Sequence, residues 1–152
     1  MPLKPHQINT FIMFKLPAAF FCGVRVKLIS NTKCVTTVRH RWINQNPFKS
    51  IFWAVQGMAA ELSTGALVMN FIKESNLPIS MLVVNNKATF LKKARGKITF
   101  SCENGNMIEE TITTAIHTKE GQTCWMKSVG IDQYENVVSI FEFEWSIRIK
   151  NE

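Results

Sequence analysis

The stretch FKSIFWAVQGMAAELSTGALVMNFI, residues 48–72, decides how this chain folds. It has no period-2 alternation of apolar and polar residues. Instead Ile51, Val55, Met58, Leu62 and Ala66 recur at three- and four-residue spacing, the period of one helix face. From Ser50 to Ile72 the only formal charge is Glu61. That run is long enough to span a bilayer. Gln56, Ser63, Thr64, Asn70 and two glycines lower its apolarity, however, and a buried helix within a soluble protein is the expectation. The polar break Asn44-Gln45-Asn46-Pro47 opens the helix, and Asn76 and Pro78 close it.

Working outward, Ile8, Phe11, Ile12 and Phe14 suggest a short helix over Gln7–Leu16 stopped at Pro17. Val24, Val26 and Leu28 alternate with Arg25 and Lys27, a half-buried strand. After a turn at Asn31-Thr32, a second strand from Cys34 to Trp42 puts Val38, His40 and Trp42 on one face. The two make a hairpin. Beyond the long helix, the apolar run Ile79–Val84 reads as a central strand, and Lys97–Glu103 as another. Glu103-Asn104-Gly105-Asn106 is a turn signal leading into a strand over Met107–Thr118, with Ile108, Ile112 and Ile116 on one face. Strands over Thr123–Ile131 and from Val137 to Ile149 complete the pattern. The class is α+β, an antiparallel sheet curled around its one large apolar helix. Open sheet edges invite pairing with a second copy.

The chain has 152 residues without linker, repeat or low-complexity tract, so residues 1–152 are expected to form one domain. Hydrophobic residues at 46% against 19% charged exclude a disordered chain. A formal charge of +7 favours an anionic partner: nucleic acid, an anionic membrane surface or a phosphorylated small molecule. Cys22, Cys34, Cys102 and Cys124 show no metal or redox spacing and are expected as reduced core thiols. The N-terminus MPLKPHQINTF has no signal-like segment, which makes the cytoplasm the expected location.

Glu61 is the most informative residue. On a helix it shares a stripe with Ala54, Gly57 and Gly65, and two helical glycines suggest close approach of a backbone or a ligand. A carboxylate there loses hydration, and its pKa rises toward the range of a general base. A solvated helix face would carry several charges. A structural pair with Arg or Lys of a neighbouring strand is the other reading.

The run from Asn46 through Glu61 to Gly65 resembles the signature of hotdog-fold thioesterases, with an Asn in the loop before the central helix and an acid fifteen residues later. Phe90-Leu-Lys-Lys-Ala-Arg-Gly96 is similar to their strand-to-turn element, and the order of elements fits throughout. The nearest likeness is to a branch known as a hotdog domain of unknown function, close to phenylacetate-pathway thioesterases. The resemblance implies a hotdog fold of five to six strands. It also implies hydrolysis of an acyl thioester, acyl-CoA or acyl-carrier protein, between two subunits of a homodimer or homotetramer. Glu61 would be general base or nucleophile, and Asn46 would position water or substrate. Where established enzymes of this kind carry His-Gly-Gly, this chain has Phe52, Trp53 and Ala54. Backbone amides there would supply an oxyanion site, with Gly57 also at the pocket.

Lys92, Lys93 and Arg95, in a basic cluster with Lys87 and Lys97, would then hold the coenzyme A phosphates, or else form a solvated strand end. Phe90 is the one aromatic among them, so nucleic acid is not expected. His6, His40 and His117 stand alone, and no metal or cofactor is expected, nor membrane insertion. Two functions stay open: a thioesterase built on Glu61 and Asn46, or a non-catalytic hotdog module binding an acyl or other apolar ligand.

Overall fold

The structure is a computed structural model and describes residues 2–151. The chain runs α1 (Pro5–Lys15), α2 (Pro17–Phe21), β1 (Arg25–Ile29), β2 (Cys34–Arg39), α3 (Trp53–Ser75), β3 (Ile79–Phe90), β4 (Lys97–Cys102), α4 (Gly105–Thr118), β5 (Gln122–Ile131) and β6 (Val137–Ile149). All strands pair antiparallel in one six-stranded sheet of order β1-β2-β4-β5-β6-β3. Its inner face supplies Val38, Ile98, Phe100, Met126, Phe141 and Ile147 to a core completed by Ala59, Leu62, Ala66 and Leu67 of α3. This is the hotdog arrangement, a long helix in the curl of an antiparallel sheet.

Helix α3 starts at Trp53, five residues after the expected Phe48. Asn46 is the reason: its Oδ1 accepts the Phe48 and Ser50 amides at 2.9 and 3.2 Å, and Lys49 takes a left-handed φ of 58°. Those bonds hold a tight loop against helix formation. A bridge between Gln45 and Ile51 closes it. At the far end, Asn76 caps the helix at φ 55°, as its sequence position suggested.

Three expectations are corrected. Strand β2 stops at Arg39, because Asn44 Nδ2 donates to the Arg39 and Cys22 carbonyls and folds Trp42–Asn44 into a 3-10 turn. Trp42 is 84% exposed and shares no buried face with Val38. Strand β3 lies at the sheet edge, paired only with β6, and runs on to Phe90. The apolar run Ile79–Val84 is therefore an edge strand and not the central strand its composition suggests, with Leu82 and Val84 exposed. Met107–Thr118 is helix α4, not a strand. A spacing of four residues fits both periods; the buried Ala115 fits only the helix. Thr111, Thr114 and Thr118 each donate their hydroxyl to the carbonyl four residues back, which reconciles these β-branched residues with helix.

All four cysteines are free. Cys34 and Cys102 face each other across β2 and β4, and burial pushes the Cys34 thiol up to about 12. Such thiols are unreactive core residues.

Gly105 opens α4 where it abuts the Asn31–Thr32 turn: its amide donates to the Thr32 carbonyl, and a Cβ there would fall on the Asn31 carbonyl. Backbone cannot yield as a flexible side chain can. Gly105→Ala is expected to lower the unfolding free energy by about 2–3 kcal/mol, measured by urea denaturation. An unchanged midpoint would refute this docking.

Candidate functional site

Two clefts flank α3. The first, of about 490 Å³, lies at the helix N-terminus and is lined by Asn46, Phe48, Phe52, Trp53 and Gln56, with Phe90, Lys92 and Lys93 opposite. The second, of about 300 Å³, is lined by Lys15 to Ala19 of the α1–α2 elbow and by Met58, Glu61 and Leu62. Both volumes suit a small ligand.

Glu61 is half-buried at the second cleft. Among the described residues no donor lies within hydrogen-bonding distance of its carboxylate, and no cation within 4.0 Å. Burial raises its pKa above the ordinary carboxylate value. Other polar groups of α3 are matched. The Ser63 and Ser128 hydroxyls are hydrogen-bonded at 2.7 Å, Trp145 Nε1 donates to Thr64 at 2.9 Å, and Ser139 donates to Gln56 Oε1 at 2.8 Å. The structural pairing of Glu61 with a strand cation is therefore not what the geometry shows.

The glycine stripe has a specific cause at one position. A Cβ on Gly65 would lie 3.2 Å from the Trp145 ring and 3.4 Å from Glu61 Oε1, so Gly65 lets the indole and the carboxylate share one face. At Gly57 a Cβ would make only ordinary contact with Phe141, so no close approach explains it. Neither Gly57 nor Ala54 lines either cleft.

Asn46 and Glu61 do not meet within one chain. Glu61 lies eight residues into α3, about 12 Å along the axis from Trp53. Asn46 spends its Oδ1 on the loop, and its Nδ2 contacts Ser50 Oγ at 2.9 Å. The Trp53 and Ala54 amides have no acceptor among the described residues, and no side chain caps the helix at Phe52. This N-terminus therefore offers donors and a positive dipole end. Phe52, Trp53 and Phe90 pack edge to face in series along this cleft, and Phe90 packs in turn on the buried Phe141.

The basic cluster divides. Lys92, Lys93 and Arg95 line one groove with Asp132 and Tyr134 beside the first cleft, and Lys92 Nζ lies 3.9 Å from Asp132. Lys87 sits apart, paired with Glu142 at 3.5 Å and over the Trp125 ring. Sequence reasoning missed Gln56 at the first cleft and the α1–α2 elbow at the second. Gln56 carries a signal in retrospect, as an uncharged polar residue one turn into an apolar helix. The elbow carries none that points to Glu61.

This geometry has relatives. A Pseudomonas aeruginosa protein of unknown function, named a probable thioesterase, superposes with a TM-score of 0.82 at 19% identity over 99% of both chains. A protein of unknown function from Chlorobaculum tepidum gives 0.81 at 15% identity over 99% of both. A Haemophilus influenzae thioesterase gives 0.70 at 10% identity over 100% of this chain and 95% of its own. At these identities the likeness is one of fold. No curated protein matches. The family described as a domain of unknown function, DUF4442, matches residues 5–146, and the chain belongs to it.

The raised pKa of Glu61 has a consequence for stability. The native carboxyl holds its proton to higher pH than the unfolded one. Stability is therefore lost as pH rises from the ordinary carboxylate range through the native value. Glu61→Gln is expected to melt above the parent protein at neutral pH and to match it under acid conditions where both side chains are neutral. Calorimetric melting temperatures across pH check this, and a pH-independent difference would contradict it.

Proposed function

We propose that this protein hydrolyses acyl thioesters such as acyl-CoA, at a site shared between two copies of the chain. The observation that carries the reading is Glu61, an unpaired, partly desolvated carboxylate beside an apolar cleft. Such a group takes a proton from water at a pH where an ordinary carboxylate is a poor base. The water oxygen bonds to the thioester carbonyl carbon, and the Trp53 and Ala54 amides receive the developing oxyanion. Collapse breaks the carbon–sulfur bond; the thiolate takes the proton from Glu61, giving free acid and thiol. Asn46 fixes the loop that presents these amides. Phe52 and Trp53 wall the acyl end, and Lys92, Lys93 and Arg95 meet the phosphates of a coenzyme A carrier.

The separation along α3 is what calls for a second copy. Amides at the helix start and a base about 12 Å further on cannot serve one carbonyl unless two chains contribute. The bare edge of β3 is the surface for this pairing, with a long row of unpaired backbone groups. The aromatic series in the first cleft favours a second reading, an acyl-binding module without turnover.

Thiol release from a panel of acyl-CoA esters separates the two. Turnover is expected, and Glu61→Gln should lower kcat by about 10²-fold or more with the fold retained. Unchanged turnover in that variant removes Glu61 from the chemistry. Stoichiometric ligand binding with no turnover at any chain length favours the binding module.

Leu82 is 65% exposed and Val84 49% on the β3 edge. The double variant Leu82→Glu, Val84→Glu is expected to run as a monomer in light scattering and to lose turnover with the pairing. A native-sized assembly in that variant would place the interface elsewhere.

A further inference from the structure

The basic excess of this chain is not spread evenly. No aspartate or glutamate precedes Glu61, so the excess of 18 basic over 11 acidic residues resides wholly in the first 60 positions. Among the described residues, Lys33 is the one cation of that region with an acidic partner, Glu103 at 2.9 Å.

The same region carries an apolar projection. Met13 to Ala18, the elbow between α1 and α2, is a run of six exposed residues in which Lys15 is the only polar one. Ile8 and Ile12 anchor α1 in the core from its other side, leaving Phe14 71% exposed. Pro17 starts α2 in a new direction, and Phe21 at its end is 65% exposed. Asn44 ties the Trp42–Asn44 turn to this end of α2 through the Cys22 carbonyl, which brings the exposed Trp42 and Ile43 alongside. Cations frame the patch. Lys15 is on the elbow, the Arg25 guanidinium stacks 3.8 Å from the Phe20 ring centroid while donating to the Phe20 and Val24 carbonyls, and the Arg41 guanidinium packs over Gly23.

We propose that this face docks on an anionic phospholipid bilayer, with Phe14, Leu16, Phe21 and Trp42 at headgroup level and the exposed Lys15 and Arg41 against lipid phosphates. Aromatic and aliphatic tips flanked by cations that have no acidic partner are what such an interface selects. No described helix is long and apolar enough to cross a membrane, so the contact is superficial. A second copy of the chain fits the face poorly: a two-fold contact would set the same unpaired cations against each other. A nucleic acid would match the cations and stack on the rings but leave Leu16-Pro17-Ala18 without a partner. The elbow is also one wall of the Glu61 cleft, so docking places that cleft beside the lipid. The inference stands whether or not Glu61 hydrolyses thioesters.

The test is co-sedimentation of the full chain with vesicles of phosphatidylcholine alone and of equal parts phosphatidylglycerol and phosphatidylcholine. Binding is expected to the anionic vesicles only and to weaken as salt rises. Phe14→Ser with Phe21→Ser, both at exposed positions, should reduce it roughly tenfold or more, and Lys15→Glu by a similar factor. The Phe pair should leave the melting temperature and hydrolysis of a water-soluble thioester unchanged, so that loss of docking and loss of catalysis are told apart. Equal binding to both vesicle types, or none to either, overturns the proposal. So does tighter binding to a single-stranded oligonucleotide than to the vesicles, or a Phe double variant whose mass in light scattering falls while its lipid binding stays.

Discussion

Helix α3 lies under a sheet while carrying Gln56, Ser63, Thr64 and Asn70 on its buried surface, and each buried polar group costs about 1–3 kcal/mol if left unpaired. The sheet answers the first three in kind, and the N-terminal segment and the β1–β2 turn answer Asn70. Ser128 of β5 meets Ser63, and β6 meets Gln56 through Ser139 and Thr64 through the Trp145 indole. From β2, Thr36 donates to the Ala59 carbonyl at 2.7 Å, while Asn70 accepts the Leu3 amide and bonds to Asn31. Apolar packing alone tolerates a helix that slides or rotates by a few degrees. Directional bonds to three different strands do not. They fix the azimuth of α3, and with it the direction in which Glu61 projects.

That constraint explains why so much could be read from one stretch of sequence. A long helix with a single charge needs a sheet to cover it, and the strands that alternate most regularly, β4 and β6, are legible as such. Glu61 was legible as an anomaly, since an isolated acid in neutral surroundings is either paired or functional. The failures share a cause. Ile108 and Ile112 are four residues apart, a distance that a strand and a helix both put on one face, so their spacing does not separate the two. The burial of Ala115 and the docking of Gly105 on a distant turn belong to the helix, and no local pattern encodes that contact. Likewise Ile79–Val84 has the composition of an inner strand, and its place at the edge is set by which strand returns beside it. The clefts were least legible, because Lys15 to Ala19 reach Glu61 across more than forty residues of chain.

The two edges of the sheet are treated differently, and this asymmetry bears on the site. At β1 the Asn9 side chain of α1 both donates to the Val26 carbonyl at 3.0 Å and accepts the Val26 amide at 2.8 Å, acting as a fragment of a further strand. A bulge between Val26 and Leu28 twists that edge further from regular pairing. At β3 nothing comparable is present among the described residues: twelve residues of strand present one side to β6 and the other to solvent. Free edges that long are usually covered or blunted in proteins that stay monomeric.

Edge and helix are linked by the aromatics. Phe90 ends β3 and packs on Trp53 at the first turn of α3 at 6.4 Å between ring centroids, and on Phe141 of β6 at 5.6 Å. Whatever binds along β3 therefore abuts the uncapped amides of Trp53 and Ala54 through a single layer of rings. A helix terminus lined by aromatic walls and flanked by Lys92 and Lys93 is apolar on one side and cationic on the other, which is the basis of the proposed acyl-CoA reading. The carboxylate two turns along the same helix lies outside that cleft, beneath the α1–α2 elbow. One chain thus carries uncapped helix amides and a half-buried carboxylate in two separate cavities, and in the proposed hydrolytic site the open edge of β3 is where a second chain brings complementary halves together.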